Sequence, residues 1–134
     1  MYLFDTDIIT NIFKKRPAPG LLARLAYIPR SQQHISTTTI AEIVYGACKS
    51  DKPAHHLRNL QEILLPAVNI LGFDSKAAFV CGRLRAELEK TGTPLALADL
   101  EIAAIALANQ LVLVTGNTRH FGRIPNLTVE NWLA

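Results

Sequence analysis

Tyr2-Leu3-Phe4-Asp5-Thr6-Asp7-Ile8-Ile9 opens the chain, and its pattern decides the fold. A three-residue apolar run meets two carboxylates, and Ile8, Ile9, Ile12 and Phe13 then recur at helical spacing. The run is too short for a helix and reads as a buried strand leading into a helix with an acidic first turn. Lys14-Lys15-Arg16-Pro17 closes that helix, with cations at the end the dipole makes negative. The same grammar repeats downstream. His34 to Thr37 reads as a strand, with Thr37 to Thr39 as N-cap candidates for a helix from Ile40 to about Lys49. Asp51 caps a helix carrying Pro53 in its first turn and an apolar stripe of Leu57, Leu60, Ile63 and Leu64. Val68 to Phe73 is a third strand, and Asp74-Ser75 caps a helix over Lys76 to about Lys90 that ends at Thr91-Gly92.

A helix from about Ala98 to Asn109 is apolar nearly all round and should be deeply buried. Leu111 to Thr115 is the clearest strand, and Leu127 to Val129 adds a short edge strand. Leu21, Leu22, Leu25, Ala26 and Ile28 mark one more amphipathic helix, ended by Pro29. Strands as continuous apolar runs alternating with helices specify an α/β domain whose parallel sheet is covered on both faces.

At 134 residues the chain suits a single domain, 1–134, of the usual ~100–150 residues. Its 49% apolar content excludes a disordered tail protein. With 14 basic and 11 acidic residues, the net charge of +3 favours an anionic partner. The first residues show no basic region or cleavage site of a secretory signal. No apolar run approaches the ~20 residues of a membrane span. The expectation is a cytoplasmic protein without a membrane anchor. Cys48 and Cys81 lie too far apart in sequence for a metal-ligand pair and read as small buried hydrophobes.

In a parallel sheet, sites form beyond the carboxyl ends of the strands. Asp5 follows the first strand, Glu42 lies in the helix after the second, Asp99 near the start of the apolar helix, and Asn117 just past the fourth strand. Carboxylates gathered at an apolar edge raise one another's pKa, and burial raises it further. A divalent cation removes that penalty. An oxygen-only donor set without Cys or His points to Mg²⁺ or Mn²⁺ rather than zinc. Such an ion can activate water and offset charge on a phosphate under attack. Metal-dependent phosphodiester hydrolysis is the favoured chemistry. Against it stands the plainer reading of each acid: Asp5, Asp7 and Asp99 as N-caps, Glu42 as a capping-box partner of Thr39. Two rival functions stay open. Asp5-Thr6-Asp7 fits the Asp-x-Asp of Mg²⁺-dependent aspartate-nucleophile phosphatases, although Ile8-Ile9 replaces their usual Gly-Thr. The chain could also be a catalytically weak RNA- or partner-binding protein.

Four blocks carry a resemblance. Leu3-Phe4-Asp5-Thr6-Asp7-Ile8-Ile9 resembles the opening of the PIN-domain nucleases. Ser36 to Ala47, with Glu42 at its centre, is similar to the second block of the VapC-type toxins in that family. Asp99-Leu100-Glu101-Ile102-Ala103-Ala104 resembles the third, and Val114-Thr115-Gly116-Asn117-Thr118-Arg119-His120-Phe121 the last, with Val129-Glu130-Asn131-Trp132 as the tail. The resemblance implies a three-layer α/β/α sandwich and a Mg²⁺-dependent endoribonuclease that is the toxin of a toxin–antitoxin pair. It implies a homodimer held inactive by a cognate antitoxin. Asp5, Glu42 and Asp99 match the acidic, metal-holding positions, and Thr6 and Thr115 match polar positions beside them.

The departures from the family pattern are specific. Asp7 stands where Asn is usual and adds a fourth carboxylate. Asn117 and His120 stand where many relatives place acids, so a second metal is expected to be weaker or absent. Glu101 replaces an apolar residue and has no assigned role. Arg119 and Arg123 are candidate RNA-backbone contacts; Lys14-Lys15-Arg16, Arg83 and Arg85 read as solvated faces. Adjacent His55 and His56 should point apart. Trp132 reads as a core or docking anchor rather than a base-stacking platform. The apolar residues of Leu21–Ile28 and Leu57–Leu65 read as core-facing stripes, with antitoxin docking as the alternative. If Asp5, Glu42 and Asp99 are committed to an ion, eight remaining acids face fourteen basic residues, which sharpens the basic character of the outer surface.

Overall fold

The computed structural model describes residues 1–134 and has five parallel strands: β1 (Tyr2–Phe4), β2 (Gln33–Ser36), β3 (Asn69–Leu71), β4 (Val112–Val114) and β5 (Val129–Glu130). Their order across the sheet is β3-β2-β1-β4-β5. The expected class holds, a three-layer α/β/α sandwich. Successive side chains of β1 and β4 supply the two cores, because strand residues alternate between faces. Leu3 and Leu113 pack with one helical layer, Phe4 and Val114 with the other.

Helices α1 (Thr6–Ile12), α2 (Pro19–Leu25), α3 (Thr37–Lys49) and α4 (Pro53–Arg58) cover one face of the sheet, and α5 (Ser75–Lys90) and α6 (Leu97–Ala108) form the first layer, on the other. Ala77, Cys81, Leu84 and Leu88 form the buried stripe of α5. Asp74 caps it by accepting from the Ala77 N–H at 2.9 Å. Its end is set by Gly92 at φ 73°, a left-handed conformation that glycine adopts without a Cβ penalty. The α6 helix is buried on most sides, as its composition requires; Ala103, Ala104 and Ala106 keep its diameter small between α5 and the sheet. A short α7 (Thr118–Phe121) inserts Phe121 into the same core.

In the second layer Ile8, Ile9, Leu21, Leu60 and Leu64 cover Phe4, Ile35 and Val114. Trp132 closes it from the C-terminus. Its ring meets Tyr2 and Phe4 edge-on at centroid distances of 5.0 and 5.5 Å, its Nε1 donates to Glu130, and the Arg24 guanidinium lies over it at 5.3 Å. It is a core anchor, as expected.

Several local expectations change. α1 ends at Ile12, so Lys14-Lys15-Arg16 lie beyond its last turn rather than in it. The α3 cap is Ser36, which accepts from the Thr39 N–H at 2.9 Å, so the helix starts before the expected threonine caps. Lys52, not Asp51, precedes α4, and the chain then continues through a wide-turn segment, Asn59–Leu64. That altered periodicity leaves Ile63 57% exposed while Leu60 and Leu64 stay buried. Leu22 is likewise exposed while Leu21 is buried, so only part of each apolar stripe faces the core. Cys81 is buried but Cys48 is exposed, because it falls outside the inward stripe of α3. The His55 and His56 rings do not point apart; they meet edge-to-face at 5.3 Å.

Trp132→Ala should cost roughly 3–5 kcal/mol, the usual range for truncating a large buried aromatic. Urea denaturation of the two proteins measures it; a loss below about 1 kcal/mol would show that the C-terminal tail is not part of the core.

Candidate metal centre at the carboxyl edge of the sheet

From β1 the chain builds β2 and β3 on one side, then returns to place β4 and β5 on the other. The carboxyl ends of β1 and β4 therefore flank the point where the strand order reverses, the crevice in which open α/β sheets bind ligands. Asp5 directly follows β1 and Thr115 directly follows β4. The Thr115 hydroxyl donates to Asp5 Oδ2 at 2.8 Å across this crevice, and the Thr6 N–H donates to Asp5 Oδ1 at 2.8 Å. Asp5 is thus both the α1 cap and a buried site residue, 7% exposed. The two readings of this acid are compatible.

Glu42 is reached from the neighbouring strand. The Thr6 hydroxyl donates to Glu42 Oε1 at 2.6 Å and lies 3.2 Å from the hydroxyl of Thr39. Thr39 is fully buried and also takes a hydrogen bond from Ser36 Oγ at 3.2 Å. Glu42 therefore pairs with the first helix of the fold, not with Thr39 in a capping box. Asp99 is not an N-cap either: Ala96 holds that position and makes no side-chain bond. Asp99 lies in the first turn of α6, where the dipole favours a carboxylate.

Asp5, Asp7 and Asp99 all hold their protons more tightly than ordinary aspartates. Burial is the chief cause for each. Asp5 is pushed up to about 6, against the lowering effect of the Thr115 and Thr6 bonds, and the charges of Asp7 and Asp99 add to the rise. Burial and the charges of Glu42 and Asp7 raise Asp99, while His120 pulls it down. The predicted acids thus share one electrostatic site. They are nevertheless held individually, and no three His, Cys, Asp or Glu side chains converge closely enough to form a ready-made metal cage.

The last block closes the crevice. The Asn117 N–H donates to Thr115 Oγ1 at 2.9 Å, and its side-chain amide pairs with His120 Nδ1 at 3.0 Å. The Gly116 N–H donates to Asp7 Oδ2 at 2.9 Å, whereas Asp7 Oδ1 is buried without a hydrogen-bond partner. Orphaned acceptor oxygen and raised carboxylates together fit a cation at this edge, since positive charge would satisfy both. Arg119 and Arg123 are exposed and make no ion pair. Glu101 accepts from the Thr38 hydroxyl at 3.0 Å, tying α6 to the start of α3. On the other side of Glu42 and Thr6 lies a cavity of about 370 Å³ between α1, α3 and α4, walled by Ile9, Phe13 and Leu60, with Lys14 and His55 among its polar lining.

The sequence matches the PIN domain over residues 2–127. The chain belongs to the PIN-domain family. Within it, this PIN domain is 37% identical to Ribonuclease VapC2 of Rickettsia felis over 98% of both chains. It is 36% identical to the tRNA(fMet)-specific endonuclease VapC of Salmonella typhimurium, over 98% of this chain and 99% of that one. In three dimensions it is similar to VapBC2 of Rickettsia felis bound to a DNA fragment from their promoter, with a TM-score of 0.90, 36% identity and 98% of each chain covered. DNA-bound VapBC of Salmonella typhimurium gives a TM-score of 0.86 at 35% identity over 98% and 97% of the chains. PIN-domain ribonucleases of the VapC kind are metal-dependent. These relatives are named as ribonucleases, which favours the nuclease over the phosphatase reading of Asp5-Thr6-Asp7.

Three residues of the site escaped the sequence reading as site residues. Thr39 precedes Glu42 by three positions and passed for a helix cap. Gly116 was read only as part of the last block, and His120 was noted only for the acid it replaces. Its spacing from Asn117, one turn of α7, is the signal that places it at the crevice.

The raised Asp5 value fixes the sign of a pH effect. Its folded-state pKa lies above the unfolded one, so the folded chain binds this proton more tightly, and the resulting stability is lost as pH rises from about 4 through about 6. Asp7 and Asp99 act in the same direction. In EDTA, urea unfolding should show roughly 1–2 kcal/mol more stability from Asp5 at pH 5 than at pH 7.5. Millimolar divalent cation should narrow that gap by binding the ionised form. A metal-free protein that gains stability between pH 5 and 7.5 would contradict this account.

Proposed function

We propose that Asp5 and Asp99 hold a Mg²⁺ ion, with Mn²⁺ as a substitute, and that Glu42 completes the site and orients the attacking water. The observation that carries this is the Thr115–Asp5 bond at the β1/β4 crevice, around which the raised aspartates gather. Acids held individually suit Mg²⁺, which takes one or two carboxylates and keeps waters, better than Ca²⁺, which favours a protein cage. Asn117 and His120 bring no acid from the last block, which supports one ion rather than two.

The protein is a ribonuclease, the toxin of a toxin–antitoxin pair, with a cognate antitoxin as its partner. When bound, the metal supplies charge neutralisation at the phosphate and makes water at the site more acidic. The chain supplies the rest. Glu42 has Oε1 pinned by Thr6, which leaves Oε2 to accept a proton from water aligned with the scissile bond. Thr115 and the Thr6 amide fix both oxygens of Asp5, so the crevice is organised before substrate arrives. Arg119 and Arg123, exposed beside the last block, take the RNA backbone. No helix is long and apolar enough to cross a membrane. Relatives solved on DNA as VapBC complexes support a cytoplasmic setting, and a homodimer is the assembly we propose for the chain.

Purified protein should cleave an RNA oligonucleotide in Mg²⁺ and stop in EDTA. Asp5→Asn should lower kcat at least ~100-fold, as expected when a metal-holding carboxylate loses its charge. Equal rates for Asp5→Asn and wild type would overturn the assignment. RNA binding without cleavage or metal uptake would instead establish the binding-protein reading.

A further inference from the structure

Asp7 carries a carboxylate that the proposed chemistry does not use. It belongs to the first turn of α1, yet its strongest contact is with the far side of the crevice: Oδ2 accepts from the Gly116 N–H at 2.9 Å. The amide one residue earlier, of Thr115, is already paired with Glu130 O at 3.0 Å in the sheet. Gly116 is thus the first residue past the β4 ladder, and Asp7 takes the amide that the sheet has released. The residues on both sides belong to the site. Thr115 donates to Asp5 Oδ2, and the Asn117 N–H donates back to Thr115 Oγ1.

Gly116 itself records how close this approach is. Its φ is not positive, so left-handed backbone does not explain the glycine. Space does. A Cβ there would stand 2.9 Å from Asp7 Oδ2 and 2.8 Å from Leu133 Cδ1, and the Asp7 oxygen is held in place by its hydrogen bond. The first turn of α1 is therefore stitched to the end of β4 twice, through Asp5–Thr115 and through Asp7–Gly116. The second stitch is made by one acceptor oxygen, Oδ2, and Oδ1 takes no part in it.

We infer that Asp7 is a positioning residue: its side-chain oxygen clamps the Gly116 amide and thereby sets the Thr115–Asn117 turn against Asp5. This rests on the reading of Asp5 as a metal-holding residue. It gives Asp7 a different task from that of a fourth metal ligand. A neutral amide oxygen performs the clamp as well as a carboxylate does; an alanine cannot perform it.

Amide exchange at Gly116, followed by NMR in EDTA, tests the clamp without any activity. Asp7→Asn should keep Gly116 protection within ~3-fold of wild type, and Asp7→Ala should speed exchange at least ~10-fold. With Mg²⁺ and an RNA oligonucleotide, Asp7→Ala should lower kcat ~10-fold with KM within ~2-fold, because turn geometry and not substrate contact is lost. Asp7→Asn should stay within ~3-fold of wild type. Gly116→Ala should bring a similar loss from the other side, and adding it to Asp7→Ala should cost no more than a further ~2-fold, where independent effects would multiply. Unchanged Gly116 exchange in Asp7→Ala overturns the inference, and so does an Asp7→Asn protein as slow as Asp7→Ala, which would make the charge the working element. Should Asp7→Ala fail to fold, Gly116→Ala and Asp7→Asn carry the same comparison, and a Gly116→Ala protein of wild-type kcat overturns it. A wild-type protein that leaves RNA intact would sink the ribonuclease reading alone, since the exchange arm still decides the clamp.

Discussion

The hydrogen bond from Thr115 to Asp5 joins two strands that lie 110 residues apart in the chain, and the sheet is arranged to make it possible. The β1–β4 register pairs Phe4 with Val114, which brings the next residues, Asp5 and Thr115, to the same height. The Asp5 N–H bonds to Val114 O at 2.9 Å, so the backbone ladder continues to the acid itself. A slip of one residue would turn Leu3 and Phe4 to the wrong faces as well as separate the pair, because side-chain direction alternates along a strand. The core and the site are therefore specified by the same register. Leu3 with Leu113 and Phe4 with Val114 anchor the two helical layers, and that anchoring fixes where Asp5 stands.

Burying an acid at this place is unfavourable, and the surroundings reduce the cost without removing it. Two donors hold Asp5, yet its pKa still rises, so desolvation outweighs both bonds. Asp99 sits at a helix start with no side-chain cap, where the dipole partly compensates it. Glu42 is held by a hydroxyl and not by a cation. A basic partner at this edge would stabilise the fold in the absence of metal, but it would also occupy the place of the proposed cation. Lys14 lines the neighbouring cavity without pairing with an acid, and Lys15, Arg16, Arg119 and Arg123 are exposed. Under the proposed metal role, the arrangement trades stability of the metal-free chain for a site open to a cation, a common relation between stability and activity.

The regular part of the fold was legible because it is written in short-range patterns. Apolar runs of strand length, the Asp74 cap and the all-round apolar α6 each follow from residues a few positions apart. Strand order was not legible: parallel strands alternating with helices fit several orders, and only packing selects β3-β2-β1-β4-β5. Cap assignments failed where several hydroxyls compete, since Ser36, Thr37, Thr38 and Thr39 are equally plausible in sequence and only the end of β2 favours Ser36. Ile63 and Cys48 were misplaced for a related reason. A wide-turn segment shifts the helical period after Asn59, and the inward stripe of α3 leaves residue 48 outside it.

The site was half legible, and the division is physical. Asp5, Glu42 and Asp99 are visible as acids at strand and helix ends, but a sequence does not state what each acid touches. Thr6 finds Glu42 across 36 residues, Thr38 finds Glu101 across 63, and Gly116 finds Asp7 across 109. These long-range bonds are what local spacing cannot supply. They also explain Glu101: its carboxylate joins α6 to the start of α3, so it steadies the two helices that carry Asp99 and Glu42. An apolar residue at that position would pack there but could not accept the Thr38 hydroxyl. The departures from the family pattern thus fall beside Asp5, Glu42 and Asp99, where a changed side chain alters how those acids are held while leaving the acids themselves in place.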